Sequence, residues 1–94
     1  MRILFEKRFH RKYKKLPKNI QSKCDEALRI FHKDSFDARL KNHKLKGSLS
    51  GLNAIAVTGD CRAVFYVEKD VVIFVDIGNH NRVYFLMEKG EKLY

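Results

Sequence analysis

A chain of 94 residues with 45% apolar side chains and a net charge of +9 has room for one domain with one modest core. No apolar run reaches the roughly 18 to 20 residues that cross a bilayer, and the N-terminus passes directly from Ile3-Leu4-Phe5 into charge, without the apolar centre of a secretory signal. A membrane-spanning or exported class is therefore not expected, and a cytoplasmic protein is.

The charge is one-sided. Residues 1–50 hold 15 Lys/Arg against 5 Asp/Glu, whereas residues 51–94 hold 5 against 6. A basic half suits a polyanion, either nucleic acid or an acidic protein segment. Cys24 and Cys61 lie far apart in sequence and match no metal-ligand spacing. They are expected as free thiols in a reducing compartment.

In chain order, Arg2–Phe5 suits a short strand. Phe9, Tyr13, Leu16, Ile20, Cys24, Ala27, Leu28 and Phe31 recur at gaps of three and four, the spacing of one helical face. Pro17 interrupts that run and is welcome only at a helix start. Two helices are therefore predicted, about residues 7–15 and 17–33, folded into an antiparallel hairpin with lysines and arginines (Arg8 and Lys12 among them) on solvated outer faces. His10 and His32 fall in this stretch as surface residues.

A connecting segment, Ala38–Gly51, follows, with Leu40 and Leu45 as anchors and Gly47 and Gly51 as turn residues. It contains the densest basic patch, Lys41, His43, Lys44 and Lys46. A strand is predicted at Leu52–Val57, then a tight turn at Thr58-Gly59-Asp60. Cys61–Val67 alternates with period two and places Arg62, Val64 and Tyr66 on one face. After the turn at Glu68-Lys69-Asp70 a strand is predicted at Val71–Ile77, whose Val71-Val72-Ile73-Phe74-Val75 is apolar on both faces, as for a strand covered above and below. A last short strand is predicted at Val83–Met87, and Glu88–Tyr94 as a mobile tail. The sum is a single α+β domain over residues 1–94. An N-terminal strand and a two-helix hairpin pack on one face of a twisted, mainly antiparallel sheet of four to five strands.

On the open face of such a sheet the His43–Gly47 segment, Asp60, Arg62 and the His80–Tyr84 segment would converge. The set offers imidazoles, a carboxylate, a guanidinium, ammoniums and a phenol. It shows no metal-ligand spacing, glycine-rich phosphate loop or nucleophile elbow, so neither a metal nor a small-molecule cofactor is expected. Groups of this kind suit cleavage of RNA, where the neighbouring 2′-hydroxyl is the nucleophile. The protein must then supply a base, cations for the crowded phosphate, and an acid for the departing 5′-oxygen. Histidine suits the proton-transfer roles because its ordinary pKa lies near neutrality, and an aromatic ring can stack on a splayed base.

The pieces Asn42-His43-Lys44-Leu45-Lys46-Gly47, Gly59-Asp60-Cys61-Arg62-Ala63-Val64-Phe65-Tyr66 and Ile77-Gly78-Asn79-His80-Asn81-Arg82-Val83-Tyr84 resemble the RelE/ParE toxin superfamily of bacterial type II toxin–antitoxin systems, most nearly its RelE and YafQ-like branches. The resemblance extends over nearly the whole chain. It implies an mRNA endoribonuclease acting in the ribosomal A site and silenced by a cognate antitoxin. By position it implies His80 as general acid, His43 in proton transfer or phosphate binding, and Asp60 as base or base-orienting group. Arg62 would stabilise the phosphate and Tyr84 would position the nucleotide. Lys41, Lys44, Lys46 and Arg82 are the cations expected on RNA. One position departs from the pattern. Where YafQ-like enzymes carry a further histidine on the strand before the turn, this chain has Ala56, so the identity of the base stays open. Two other readings stand beside the nuclease: a ParE-like, non-enzymatic gyrase inhibitor, and an inactive remnant that only binds its antitoxin.

Overall fold

The computed structural model describes residues 1–79 and 81–84. Among them are β1 (Arg2–Phe5), α1 (Lys7–Lys14), α2 (Lys18–Lys33), β2 (His43–Lys44), β3 (Asn53–Ala56), β4 (Cys61–Glu68) and β5 (Val71–Asn79). They form one five-stranded sheet in the order β1-β5-β4-β3-β2. β1 runs parallel to β5, and the other three pairings are antiparallel. The α+β architecture expected from the sequence is the one observed.

Pro17 stands at the N-cap of α2 with an extended ψ of 150°, so it turns the chain between the helices and leaves the helical face unbroken. Gln21 Nε2 donates to the carbonyls of Tyr13 and Leu16, and the Tyr13 hydroxyl donates to Asp25 at 2.6 Å. These bonds hold the hairpin closed. Its apolar stripe lies on one face of the sheet, where Phe74 stacks on Phe5, meets Phe9 and Phe31 edge-on and tilts against Phe65, at centroid distances of 5.7, 5.8, 5.3 and 5.1 Å. Cys24 and Cys61 sit in the same cluster as free, buried thiols.

β5 is buried at Val72 and from Phe74 to Ile77 and half-buried at Ile73, as its apolar start predicts. The register against β4 shifts between Val64 and Phe65: Val64 opposes Asp76 and Phe65 opposes Phe74, which leaves Val75 as a bulge. Strict alternation would place Ile77 with Ile73 and Val75; the bulge returns it to the helix-side cluster with Val72 and Phe74.

Four expectations are corrected. Residues 81–84 form a helical turn, not the start of a strand at Val83–Met87. Asn79 is the reason: its side-chain Oδ1 accepts from the backbone N–H groups of Asn81 and Arg82 at 3.1 and 3.3 Å, an N-cap that closes a turn. The remainder of that predicted strand and the Glu88–Tyr94 tail lie outside the described residues. β5 runs on through Gly78 and Asn79, because cross-strand pairing with Arg62 and Cys61 outweighs the turn-like composition. The connecting segment contributes an edge strand, His43–Lys44, paired with β3. Arg8 and Lys12 are not on a solvated face. Arg8 Nε lies 3.3 Å and Lys12 Nζ 2.8 Å from the carboxylate of Asp76, which is fully buried. Asp76 lies past the point where β1 ends, so a charge buried in β5 meets α1 there and ties the first helix to the sheet.

Candidate active site

The turn Thr58-Gly59-Asp60 is closed by Thr58, whose hydroxyl accepts from the backbone N–H of Asp60 and of Cys61 at 3.2 and 3.0 Å. It delivers Arg62 to the middle of the sheet, directly opposite Ala56 on β3 and Gly78 on β5. Alternation then puts Arg62 with Val64 and Tyr66 on the face turned away from the helices, where Leu45, Leu49, Leu52, Val75, Val83 and Tyr84 form a second, smaller cluster. Arg62 is half-buried. Its Nη1 donates to the carbonyls of Thr58, Gly59 and Cys61 at 2.6, 3.2 and 3.3 Å. A guanidinium held from one nitrogen by backbone oxygens keeps a planar edge for a second acceptor, and phosphate is the acceptor that fits it best.

Gly78 supplies the other half of the geometry. A Cβ on it would stand 3.0 Å from Cγ2 of Val83, so the bare backbone is the seat on which Val83 is buried. The Asn79-capped turn and this seat together bring Tyr84 back over the sheet. Burial raises the Tyr84 phenol above its ordinary pKa, and the nearby positive charge of Arg62 pulls it partly down again. The two side chains therefore share one environment.

His43 is exposed, opposite Ala54 on β3. Two strands and two residues separate it from Arg62, about 12 Å between Cα atoms by ordinary sheet spacing. Its Nδ1 donates to the Lys41 carbonyl at 2.8 Å. Asp60 is exposed at the turn and makes no ion pair among the described residues; Arg62 is held by carbonyls instead. Lys41, Lys46 and Arg82 are exposed as well.

Lys44 is the member that the geometry separates from the rest. It pairs with Asn53, whose other partner is Phe65, and it lines a groove of about 490 Å³ on the helix side together with Phe31, Phe36 and Val67. A one-residue step along a strand reverses the face, so Lys44 does not join Arg62 as expected. His80 lies outside the described residues.

Sequence reasoning missed the supports: Thr58, Asn79 and the Arg8–Lys12–Asp76 cluster. Each left a signal. A threonine two before an aspartate, an asparagine two before a polar residue, and a lone carboxylate in an apolar strand mark an ST turn, a cap and a buried ion pair.

A mixed five-stranded sheet backed on one face by a basic helical hairpin is the fold of YafQ- and RelE-like toxins. The chain belongs to the YafQ family, bacterial toxins of type II toxin–antitoxin systems, whose family model matches residues 1–84. Among solved structures it is similar to YafQ from E. coli strain BL21(DE3), with a TM-score of 0.75 and 18% identity over 89% of this chain and 99% of that one. It is similar to the E. coli DinJ–YafQ toxin–antitoxin complex, with a TM-score of 0.72 and 19% identity over 87% and 94%. The RelB–RelE antitoxin–toxin complex from Methanococcus jannaschii gives a TM-score of 0.71 at 23% identity over 87% and 95%. At these identities the structural likeness defines the fold. A comparison with curated proteins finds no significant match.

Proposed function

We propose that this toxin is an endoribonuclease that cuts mRNA on the ribosome and is held inactive by a cognate antitoxin. The observation that carries the reading is the pairing of Arg62 and Tyr84 on the sheet face away from the helices, one a cation for a phosphate and the other a ring for a base. In the proposed reaction the substrate's own 2′-hydroxyl attacks the adjacent phosphorus. The bond to the 5′-oxygen breaks, and a 2′,3′-cyclic phosphate and a 5′-hydroxyl result. His43 or Asp60 takes the 2′-hydroxyl proton, Arg62 stabilises the crowded phosphate, and His80 protonates the leaving oxygen. Tyr84 stacks on the nucleotide and holds the in-line geometry. Lys41, Lys46 and Arg82 add attraction for the backbone. The exposed lysines and arginines of α1 and α2 lie along ribosomal RNA, an affinity that weakens with salt and carries no base readout.

The DinJ–YafQ and RelB–RelE complexes are toxins bound to antitoxins, and a partly disordered acidic segment that folds over the basic surface suits a chain of this charge. Induction in cells tests the reading. Translation is expected to stop at once, with translated mRNA cut, and His80→Ala is expected to remove both effects while the protein stays folded and antitoxin-binding. Translation that continues while DNA damage accumulates would favour a gyrase poison and overturn the nuclease.

A further inference from the structure

The segment ahead of β2 contains a conformational oddity with a chemical consequence. Lys41 has φ 51°, the left-handed region that side chains other than glycine rarely occupy. Three hydrogen bonds hold it there. The Lys41 backbone N–H donates to Ala38 at 3.3 Å. The Asn42 side-chain Nδ2 donates to the carbonyl of Ser35, just past α2, at 2.8 Å. The Lys41 carbonyl, swung round by the left-handed turn, accepts from Nδ1 of His43 at 2.8 Å. A carbonyl can only accept, so the neutral His43 ring must carry its proton on Nδ1. Nε2 is then the basic nitrogen, on a ring that is exposed. Free imidazole side chains in water favour the opposite tautomer.

We propose that Lys41 and Asn42 form a positioning bracket. The Asn42 amide fixes the Lys41 backbone, and the Lys41 carbonyl sets His43 in the tautomer that presents Nε2 as proton acceptor to an RNA 2′-hydroxyl. The catalytic half rests on the nuclease reading above; the tautomer half does not. His43 and Arg62 share one sheet face, so a base at Nε2 and a cation at Arg62 address the same substrate from two sides. Asn42 is then a positioning residue, because it acts only through His43 and touches no substrate.

The tautomer is read from nitrogen-15 shifts of the labelled full chain at a pH where His43 is neutral. The expected result is a pyrrole-type Nδ1 and a pyridine-type Nε2 in the wild type. Asn42→Asp keeps the shape but removes the donor to Ser35, and Asn42→Ser is a second variant should the first fail to fold. In either, the ring is expected to drift toward the opposite tautomer. kcat for ribosome-dependent cleavage should fall on the order of 10- to 100-fold with KM unchanged. A wild-type His43 protonated on Nε2 would overturn the bracket, as would a folded Asn42 variant with wild-type kcat. A wild type with the Nδ1–H tautomer that cuts no RNA overturns the nuclease reading and leaves the bracket standing.

Discussion

The two faces of this sheet are built from the same strands, yet they solve different problems. On the helix side five phenylalanines and two cysteines, contributed by the helical stripe and the strands together, pack and exclude water. On the other side a smaller cluster of aliphatic residues supports Arg62, Tyr66 and Tyr84 at half-burial. One face removes apolar area from water; the other keeps polar groups wet enough to meet a ligand yet fixed enough to aim at it. If that division is real, substitutions on the two sides should separate stability from activity.

The largest expected effect lies on the helix side. Phe74→Ala removes the ring that touches four others, and such truncations cost about 3 to 5 kcal/mol. Measured by urea unfolding, that is a large share of what a domain of this size holds. A loss below about 1 kcal/mol would mean that the aromatic cluster is not the core.

Arg62→Ala is the counterpart on the open face. Removing a preorganised cation or donor from a developing negative charge typically lowers kcat by about 10²- to 10³-fold. The melting temperature should move little, because the side chain is anchored to a surface turn. An Arg62→Ala protein that is folded and cuts translated mRNA at the wild-type rate would break the comparison. So would one that unfolds.

How far the sequence revealed each face follows from what each is made of. The helix face repeats every three or four residues and the strands every two, so periodicity found the hairpin, the core and the side on which Arg62 lies. Residue type alone marked Gly47 and Gly51 as turn residues, and they take positive φ values of 66° and 97°. Supports made of single side chains leave no period. Asn79 turned a predicted strand into a helical turn with one oxygen, and Thr58 closed the predicted turn with one hydroxyl. Lys44 looked like a member of the site because it is next to His43 in sequence, which on a strand guarantees opposite faces. Arg8 and Lys12 looked like solvent-facing charges because their partner, Asp76, is more than sixty residues away in the chain.

Gly78 joins the two problems, since its empty Cβ position seats Val83 and so brings Tyr84 to Arg62. Gly78→Ala forces a contact at about 3.0 Å to relax, an overpacking worth about 1 to 3 kcal/mol. The sharper expectation is a loss of cleavage larger than the loss of stability implies, because the displaced turn carries Tyr84. Equal cleavage at matched folded fractions would show that the Tyr84 position is irrelevant to turnover.

The smallest effect tests how dry the helix side is. Burial first, and then the negative charges of Cys61 and Asp25, push the Cys24 thiol from 9.0 up to about 12. Below pH 9 both folded and unfolded chains keep the proton, so the thiol is neutral in the balance. Between about 9 and 12 the unfolded chain loses it while the folded chain holds it, so stability falls as pH rises, by about 1.4 kcal/mol per unit at most. Burial pushes Cys61 in the same direction, against a hydrogen bond from the Gly78 backbone and the charge of Arg62. Lysines and tyrosines titrate in this window too, so the informative quantity is a difference. Unfolding free energies of wild type and Cys24→Ala, followed from pH 8 to 10.5, should run parallel up to about pH 9. Above it they should converge, the wild type losing stability faster. Curves that stay parallel throughout would mean that water reaches Cys24, and the helix side would not be the sealed face that leaves the chemistry to the other.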